Sequence, residues 1–242
     1  MVLFGFKSDK GKKRAVNEDA FFVLPKDKVF MVADGVGGHS SGEVASSMTV
    51  EFIANQVKAF SPDQIEDEEE LKEYFLEILR RINSEVNRIS KSNIANYGMA
   101  TTLVMMYLRD DNAYIVNIGD SRAYLLRDGV LQQITDDHTY VNSLVKKGLL
   151  TKQQAALRND KNMITRAIGA GSAIEPDFIQ LDIFQNDRLL LCSDGLYDEV
   201  DDKTIESIMA SGSGMRNITT GLVDKANENG GSDNITVIGV QI

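Results

Sequence analysis

The stretch TTLVMMYLRDDNAYIVNIGDSRAYLLRDGVLQQI, residues 101–134, decides how the chain folds. It holds four short apolar runs, Thr101 to Leu108, Ala113 to Ile118, Ala123 to Arg127 and Val130 to Ile134. Asp110-Asp111-Asn112 and Arg127-Asp128-Gly129 punctuate them with turn residues, so the stretch reads as an antiparallel meander. Upstream, Ala20 to Leu24 and Val29 to Ala33 flank the turn Pro25 to Lys28, a strand–turn–strand signature. Val2 to Lys7, Ile179 to Ile183, Arg188 to Ser193 and Ile235 to Ile242 supply further strands. Small and apolar residues recur at helical spacing from Glu43 to Phe60. Asp67-Glu68-Glu69-Glu70 opens a second helix whose Leu71, Phe75, Ile78, Leu79, Ile82 and Val86 are spaced by three and four. Tyr140 to Leu157 reads as helix broken around Gly148, and Asp202 to Met209 and Gly214 to Asn229 as two more helices. The predicted class is α+β, with helices covering the outer faces of a pair of antiparallel sheets.

The 242 residues fit one domain, 43% of them hydrophobic, and no linker, repeat or low-complexity tract interrupts them. Twenty-six basic against 36 acidic residues leave a formal charge of -10, which argues against nucleic acid or an anionic membrane as main partner. Cys192 is the single cysteine, so no disulfide framework exists, and with no secretory h-region the chain is expected in the reducing cytoplasm. No apolar run approaches the ~20 residues that span a bilayer.

Four aspartates sit at the ends of strand-like runs. Val29 to Ala33 runs into Asp34-Gly35, Tyr114 to Gly119 into Asp120-Ser121, and Leu189 to Ser193 into Asp194-Gly195. Asp233-Asn234 instead precedes its run, Ile235 to Val240. Aspartate is depleted in strands and costly to bury alone. If the first three runs point one way and the last is antiparallel, all four carboxylates meet at one end of a sheet. Carboxylates that close repel unless they protonate or share cations, and oxygen-only ligands suit Mg²⁺ or Mn²⁺. One Asp-Gly is an ordinary turn; its repetition in analogous places is what points to a metal. The glycine after Asp34 lets an ion approach the backbone carbonyl.

Other residues say less on their own. Arg14 offers a planar fork for phosphate oxygens, and Glu18 and Asp19 fit the role of orienting metal-bound waters. Gly35-Val36-Gly37-Gly38-His39 lacks the Gly-Lys-Ser/Thr of a P-loop and reads as pliable backbone beside a metal site. His39 is either a proton donor to a leaving group or a solvent-facing loop histidine. Two histidines and one cysteine cannot build the usual zinc sites, so His138 is expected to make a structural hydrogen bond. A cysteine phosphatase needs an arginine six positions on, where Asp198 stands, so Cys192 is expected to be an inert strand residue. Ser121 and Ser193 lack a His/Asp set for nucleophilic chemistry.

Taken together, these residues resemble the PPM family, the metal-dependent protein serine/threonine phosphatases also called the PP2C type. The likeness runs from Ser8 to Val240. It rests on Ser8-Asp9-Lys10-Gly11 with Arg14 and Asn17-Glu18-Asp19, and on Asp34-Gly35-Val36-Gly37-Gly38-His39 with Gly42-Glu43-Val44-Ala45. It continues through Thr101-Thr102-Leu103, Ile118-Gly119-Asp120-Ser121-Arg122, Thr165-Arg166-Ala167-Ile168-Gly169, Cys192-Ser193-Asp194-Gly195-Leu196 and Gly231-Ser232-Asp233-Asn234-Ile235-Thr236. The details resemble the compact bacterial branch. The resemblance implies two central antiparallel sheets flanked by helices, in a single phosphatase domain over 1–242. It implies two tightly held Mn²⁺ or Mg²⁺ ions bridged by Asp34, with Asp194 and Asp233 on one and the Gly35 carbonyl on the other. Glu18 would reach the second ion through water, Asp120 with Asp194 would hold a weaker third ion, and Arg14 would hold the substrate phosphate. The implied reaction is direct attack of a metal-bridging water or hydroxide on phosphoserine or phosphothreonine in proteins, by a monomer that opposes a Ser/Thr kinase.

Several positions depart from the family pattern. Val36 stands where many eukaryotic members have histidine, so His39 or a metal-bound water must act as general acid. Ala100 replaces a common glycine. Tyr140 to Asn162 corresponds to a mobile flap beside the site, and its Leu157 to Lys161 stretch does not follow the His-Pro-x-Arg-like pattern. Two competing readings remain, a catalytically silent binding domain and a regulatory phosphatase with one dedicated partner. The presence of Asp34, Asp194 and Asp233 counts against the first, and the lack of an attached sensor or coiled-coil segment against the second.

Overall fold

The stretch 101–134 folds as two hairpins in two different sheets rather than as one meander. In the computed structural model, which describes residues 2–242 apart from Gly38, His39, Ser40, Asn93 and Asn159, β5 (Leu103–Arg109) pairs with β6 (Asn112–Ile118). β7 (Arg122–Arg127) pairs with β8 (Val130–Gln133). Asp110 and Asp128 turn the two hairpins at φ 51° and 52°, a left-handed conformation that aspartate tolerates. Strand β6, however, takes β9 (Asp177–Asp182) as its other neighbour, and β7 takes β10 (Arg188–Cys192). The chain crosses between sheets through Gly119-Asp120-Ser121. Gly119 has φ +102°, and a Cβ on it would lie 2.6 Å from Thr102 Cγ2, so the crossing needs glycine there.

The other strands are β1 (Leu3–Asp9), β2 (Asp19–Leu24), β3 (Val29–Val36), β4 (Ala100–Thr101) and β11 (Ile235–Gln241). One sheet has the order β1-β11-β10-β7-β8 and the other β2-β3-β5-β6-β9, with β4 on β3; every pairing is antiparallel. The two sheets pack face to face. Alternate side chains of one strand serve two cores. Phe30, Val32, Val104 and Met106 meet Leu189, Leu191, Ile238 and Val240 between the sheets. Val29, Met31, Leu103, Met105 and Tyr107 face the helices α1 (Ser41–Ala59) and α2 (Glu68–Ser92). Leu190, Cys192, Ile235 and Val237 face α6 (Asp202–Ala210) and α7 (Met215–Asn229) on the opposite outer surface. This four-layer α+β sandwich is the predicted class, and it explains the unbroken apolar runs, since these strands are buried on both faces.

Helix α2 buries the predicted stripe from Leu71 to Val86, and Asp67 Oδ1 caps its start by accepting from the Glu70 N–H at 2.9 Å. The segment broken around Gly148 is α3 (Tyr140–Lys146) and α4 (Lys152–Ala156), separated at 147–151. A four-residue helix, α5 (Asp194–Tyr197), is too short for its periodicity to be read from sequence.

Candidate metal centre

Three strand ends and one strand start converge. β3 and β6 run the same way because each is antiparallel to β5, so Asp34 and Asp120 share an end of one sheet. β10 and β11 are antiparallel, so Asp194, just past β10, and Asp233, just before β11, share an end of the other. The two ends adjoin. Burial, and after it the charges of Asp194, Asp19, Asp120 and Asp233, push the Asp34 carboxyl well above the ordinary aspartate range. Burial followed by Asp194 and Asp137 raises Asp120 to about 8. Burial followed by Asp233 and Asp198 raises Asp194 to about 6, against a hydrogen bond with Asp34 that lowers it. Two carboxyl groups joined in that way need a proton on one of them, and a divalent ion between them would take the proton's place. Asp194 Oδ1 is buried with no hydrogen-bond partner, an orphaned acceptor beside Asp34. Those observations fit an oxygen-ligated hard cation.

Hydroxyl groups lock the two sheets together at this end. The Asp34 N–H donates to Thr102 Oγ1 at 2.9 Å, and the Thr102 N–H donates to the Asp34 carbonyl at 2.9 Å. Thr102 Oγ1 also meets Ser121 Oγ at 2.7 Å on the crossing between sheets. Asp19 lies opposite Asp34 in the β2–β3 register, and Ser193 Oγ donates to its Oδ2 at 2.7 Å from the other sheet. Burial raises Asp19 to about 7, although bonds from Ser193 and Thr236 oppose the shift. Ser121 and Ser193 are thus structural, as their lack of a His/Asp set implies. Neither they nor Thr102 were recognisable as site residues, because their partners are remote in sequence.

A second set of oxygens faces across Gly42. A Cβ there would stand 2.6 Å from the Gly35 carbonyl oxygen and 3.0 Å from Glu18 Oε1, so both atoms converge on space that only glycine leaves open. Glu18 is held by its backbone: its N–H donates to Asn234 Oδ1 at 2.8 Å, and its carbonyl accepts from Gly35 N–H at 3.1 Å and Ser46 Oγ at 2.6 Å. Asn234 Nδ2 donates to the carbonyls of Lys10 and Val16, both at 2.9 Å, fixing the loop that carries Arg14. Arg14, half exposed, donates from Nη2 to Asp233 Oδ2 at 2.7 Å. This pair turns Asp233 toward the rim. As they stand, no three His, Cys, Asp or Glu side chains among the described residues are drawn tightly enough to hold one ion. Asp233 keeps its Oδ2 on Arg14, yet its charge is among those that raise both Asp34 and Asp194. His39 lies outside the described residues.

Beneath Asp120, Tyr197 donates its hydroxyl to the Asp120 carbonyl at 2.9 Å. Arg122 grips Asp137 at 2.9 and 2.6 Å and stacks on the Tyr197 ring at 3.4 Å. His138 Nδ1 accepts from Gly119 N–H at 3.1 Å, and His138 N–H donates to the Gly119 carbonyl at 2.9 Å. Nε2 therefore carries the ring proton and faces Asp177 Oδ2 at 3.1 Å. His138 makes the expected structural bond, clamping the residue before Asp120. Cys192 is fully buried, and burial pushes its thiol up to about 12, which leaves it an inert strand residue.

Comparison with known proteins follows this geometry. The family described as Protein phosphatase 2C matches residues 10–232. The serine/threonine phosphatase stp of Listeria innocua is 35% identical over 239 residues, covering 98% of this chain and 94% of its own length. The protein phosphatase PhpP of Streptococcus pneumoniae is 37% identical over 233 residues, covering 95% and 93%. The crystal structure of the catalytic domain of serine threonine protein phosphatase PstP, in complex with 2 manganese ions, superposes with a TM-score of 0.86 at 34% identity, covering 99% of this chain and 97% of that one.

Proposed function

The chain belongs to the protein phosphatase 2C family, and on that premise we propose how its strand-end carboxylates serve the chemistry. It is a metal-dependent protein serine/threonine phosphatase, a hydrolase of phosphoserine and phosphothreonine esters in proteins. Asp34 would bridge two divalent ions, Mn²⁺ or Mg²⁺. Asp194 and Asp233 would complete one, and the Gly35 carbonyl, with Glu18 acting through water, the other. Asp120 with Asp194 would hold a weaker third. Bound there, the ions supply an activated water for attack on phosphorus and screen the charge on the phosphoryl oxygens.

The chain's own residues do the rest. The buried walls around Asp34 and Asp194 keep the local dielectric low, which strengthens each charge interaction. Arg14, half exposed beside Asp233, would hold the phosphate oxygens with its guanidinium. Val36, directly after Gly35 in β3, carries no proton, so proton delivery to the leaving alkoxide falls to His39 or to water at the site. The segment 140–162 serves as a flap beside the cup, within a single phosphatase domain. The enzyme would oppose a Ser/Thr kinase as a cytoplasmic monomer. No described helix is long and apolar enough to cross a membrane.

The observation that carries the reading is the buried Asp194 oxygen left without a hydrogen-bond partner in the Asp34 cluster, together with the Gly35 and Glu18 oxygens facing over Gly42. The test is turnover of p-nitrophenyl phosphate with Mn²⁺, with and without chelator, in wild type and Asp34→Asn. Activity is expected in wild type alone and only with the ion. Chelator-insensitive turnover, or an undiminished Asp34→Asn enzyme, contradicts the reading.

A further inference from the structure

His138 stands where two parts of the molecule meet, and its backbone is bonded to both. The His138 N–H donates to the Gly119 carbonyl at 2.9 Å, and the His138 carbonyl accepts from Thr165 N–H at 2.7 Å and Thr165 Oγ1 at 2.9 Å. The ring repeats the division. Nδ1 accepts from Gly119 N–H at 3.1 Å, while Nε2 lies 3.1 Å from Asp177 Oδ2 and 3.1 Å from Arg166 Nη1. Arg166 Nη1 also donates to Asp177 Oδ1 at 2.8 Å, so these two residues hold each other as well as the ring. The His138 side chain is buried, and each of its two nitrogens serves a different segment.

On the Gly119 side, what is held is Asp120. Gly119 sits at φ +102°, and glycine is the residue with the most backbone freedom. A peptide free to turn there would carry the Asp120 carboxylate with it. His138 bonds both polar groups of Gly119, and Asp137, the residue before it, grips Arg122, two positions past Asp120. Two consecutive residues thus brace the chain on either side of Asp120-Ser121. On the other side, what is held is the neck of the 140–162 segment. Thr139 and Ile164 form a β-bridge, Tyr140 N–H donates to the Met163 carbonyl at 2.8 Å, and Thr165 closes the neck on His138.

We propose that His138 is a positioning residue with two separable tasks: Nδ1 sets the Asp120 carboxylate through Gly119, and Nε2 sets the neck of the 140–162 segment through Asp177 and Arg166. This rests on the reading above, in which Asp120 holds the weaker ion and the segment lies beside the cup. Groups that orient a ligand without touching the ion change metal affinity by about 10–100-fold when they are lost.

Two amides separate the tasks. In His138→Asn the amide oxygen stands near the place of Nδ1 and accepts from Gly119, and nothing reaches Asp177. In His138→Gln the amide nitrogen stands near the place of Nε2 and donates to Asp177, and nothing accepts from Gly119. Mn²⁺ is titrated into chelator-stripped protein, with bound ions counted from the electron spin resonance signal of the free ion. KM is measured for a phosphothreonine peptide and for p-nitrophenyl phosphate. His138→Gln is expected to weaken the third ion by about tenfold or more and to leave the two tight ions within about twofold. His138→Asn is expected to hold the third ion within about threefold, and to raise KM for the peptide about threefold more than KM for p-nitrophenyl phosphate. Asp177→Ala leaves the ring in place and is expected to behave as His138→Asn does; it carries the test should both His138 variants lose their melting transition. A third ion weakened equally by the two amides, or unmoved in folded His138→Gln, overturns the proposal. So does an Asp177→Ala protein that loses the third ion and keeps its peptide KM. Wild type that binds two ions and no third removes the Asp120 assignment and this proposal with it, whereas wild type that binds none defeats the metal reading itself.

Discussion

The carboxylate cup and the α3–α4 segment lie side by side, yet they are built on different terms. The cup is fixed by both sheets. Asp34 is bonded front and back by Thr102, Asp19 is reached from the other sheet by Ser193, and Gly119 is clamped twice by His138. The α3–α4 segment has two short helices, each started by a threonine cap at Thr139 or Thr151, and it leaves Leu149 67% and Leu157 87% exposed. Its far end is tied to Asp198 by Lys161 and Asn162, both at 3.0 Å. The proposed metal ligands sit on strand ends, whereas the proposed flap is lightly held.

That contrast can be broken, most severely in the cup. Asp194→Asn is expected to lower p-nitrophenyl phosphate turnover by about a thousandfold or more, since it would remove a proposed metal ligand. A loss under about tenfold in steady-state kinetics would show that the cup is not where the chemistry happens. Thr102→Val keeps the side chain's shape but removes the acceptor for Asp34 N–H and the contact with Ser121. About 1–3 kcal/mol of stability should be lost, seen as a fall in melting temperature of several degrees at this chain length. An unchanged melting temperature would mean the hydroxyl bridge between sheets carries no weight.

The cup also sets a pH dependence. The carboxyls of Asp120, Asp19 and Asp194 are raised to about 8, 7 and 6, above their unfolded values. For an acid shifted upward, the folded state takes up protons first, so stability increases as pH falls through those values. Chelator-treated protein should thus melt higher at pH 6 than at pH 8, and Mn²⁺, which competes with the protons, should reverse the order. A chelated protein that melts higher at pH 8 contradicts the buried cluster. The smallest effect belongs to the flap tie. Asp198→Ala removes a partly exposed pair and should move the melting temperature by no more than about 2 °C. It should raise KM for a phosphoprotein without raising KM for p-nitrophenyl phosphate. A matching rise in both would merge the two regions into one unit.

Much of the cup was legible because an aspartate closing an apolar run has few structural uses, and four of them had one common explanation. The helices were legible from period: α1 was expected at Glu43–Phe60 and runs Ser41–Ala59. What failed was the meander. Turn residues at Asp110 and Asp128 fix hairpins, but nothing local tells whether the next strand pairs in the same sheet or the other. The close approach of Thr102 to Gly119, 17 positions away in the chain, that makes glycine necessary at the crossing exists only in the folded molecule. The same holds for Ser193 and Asp19, 174 residues apart, whose bond exists only once the sheets have packed. The Arg14–Asp233 pair was equally hidden, since each was read for a separate task.

The most direct measurement is a calorimetric titration of Mn²⁺ into chelator-stripped protein near pH 7, repeated with Asp34→Asn. Two tightly bound ions in wild type, with proton release on binding, and loss of both in the variant are the expected result. A wild-type protein that binds none, or an Asp34→Asn protein that binds both as tightly, would contradict the claim that folding gathers these carboxylates around a pair of ions.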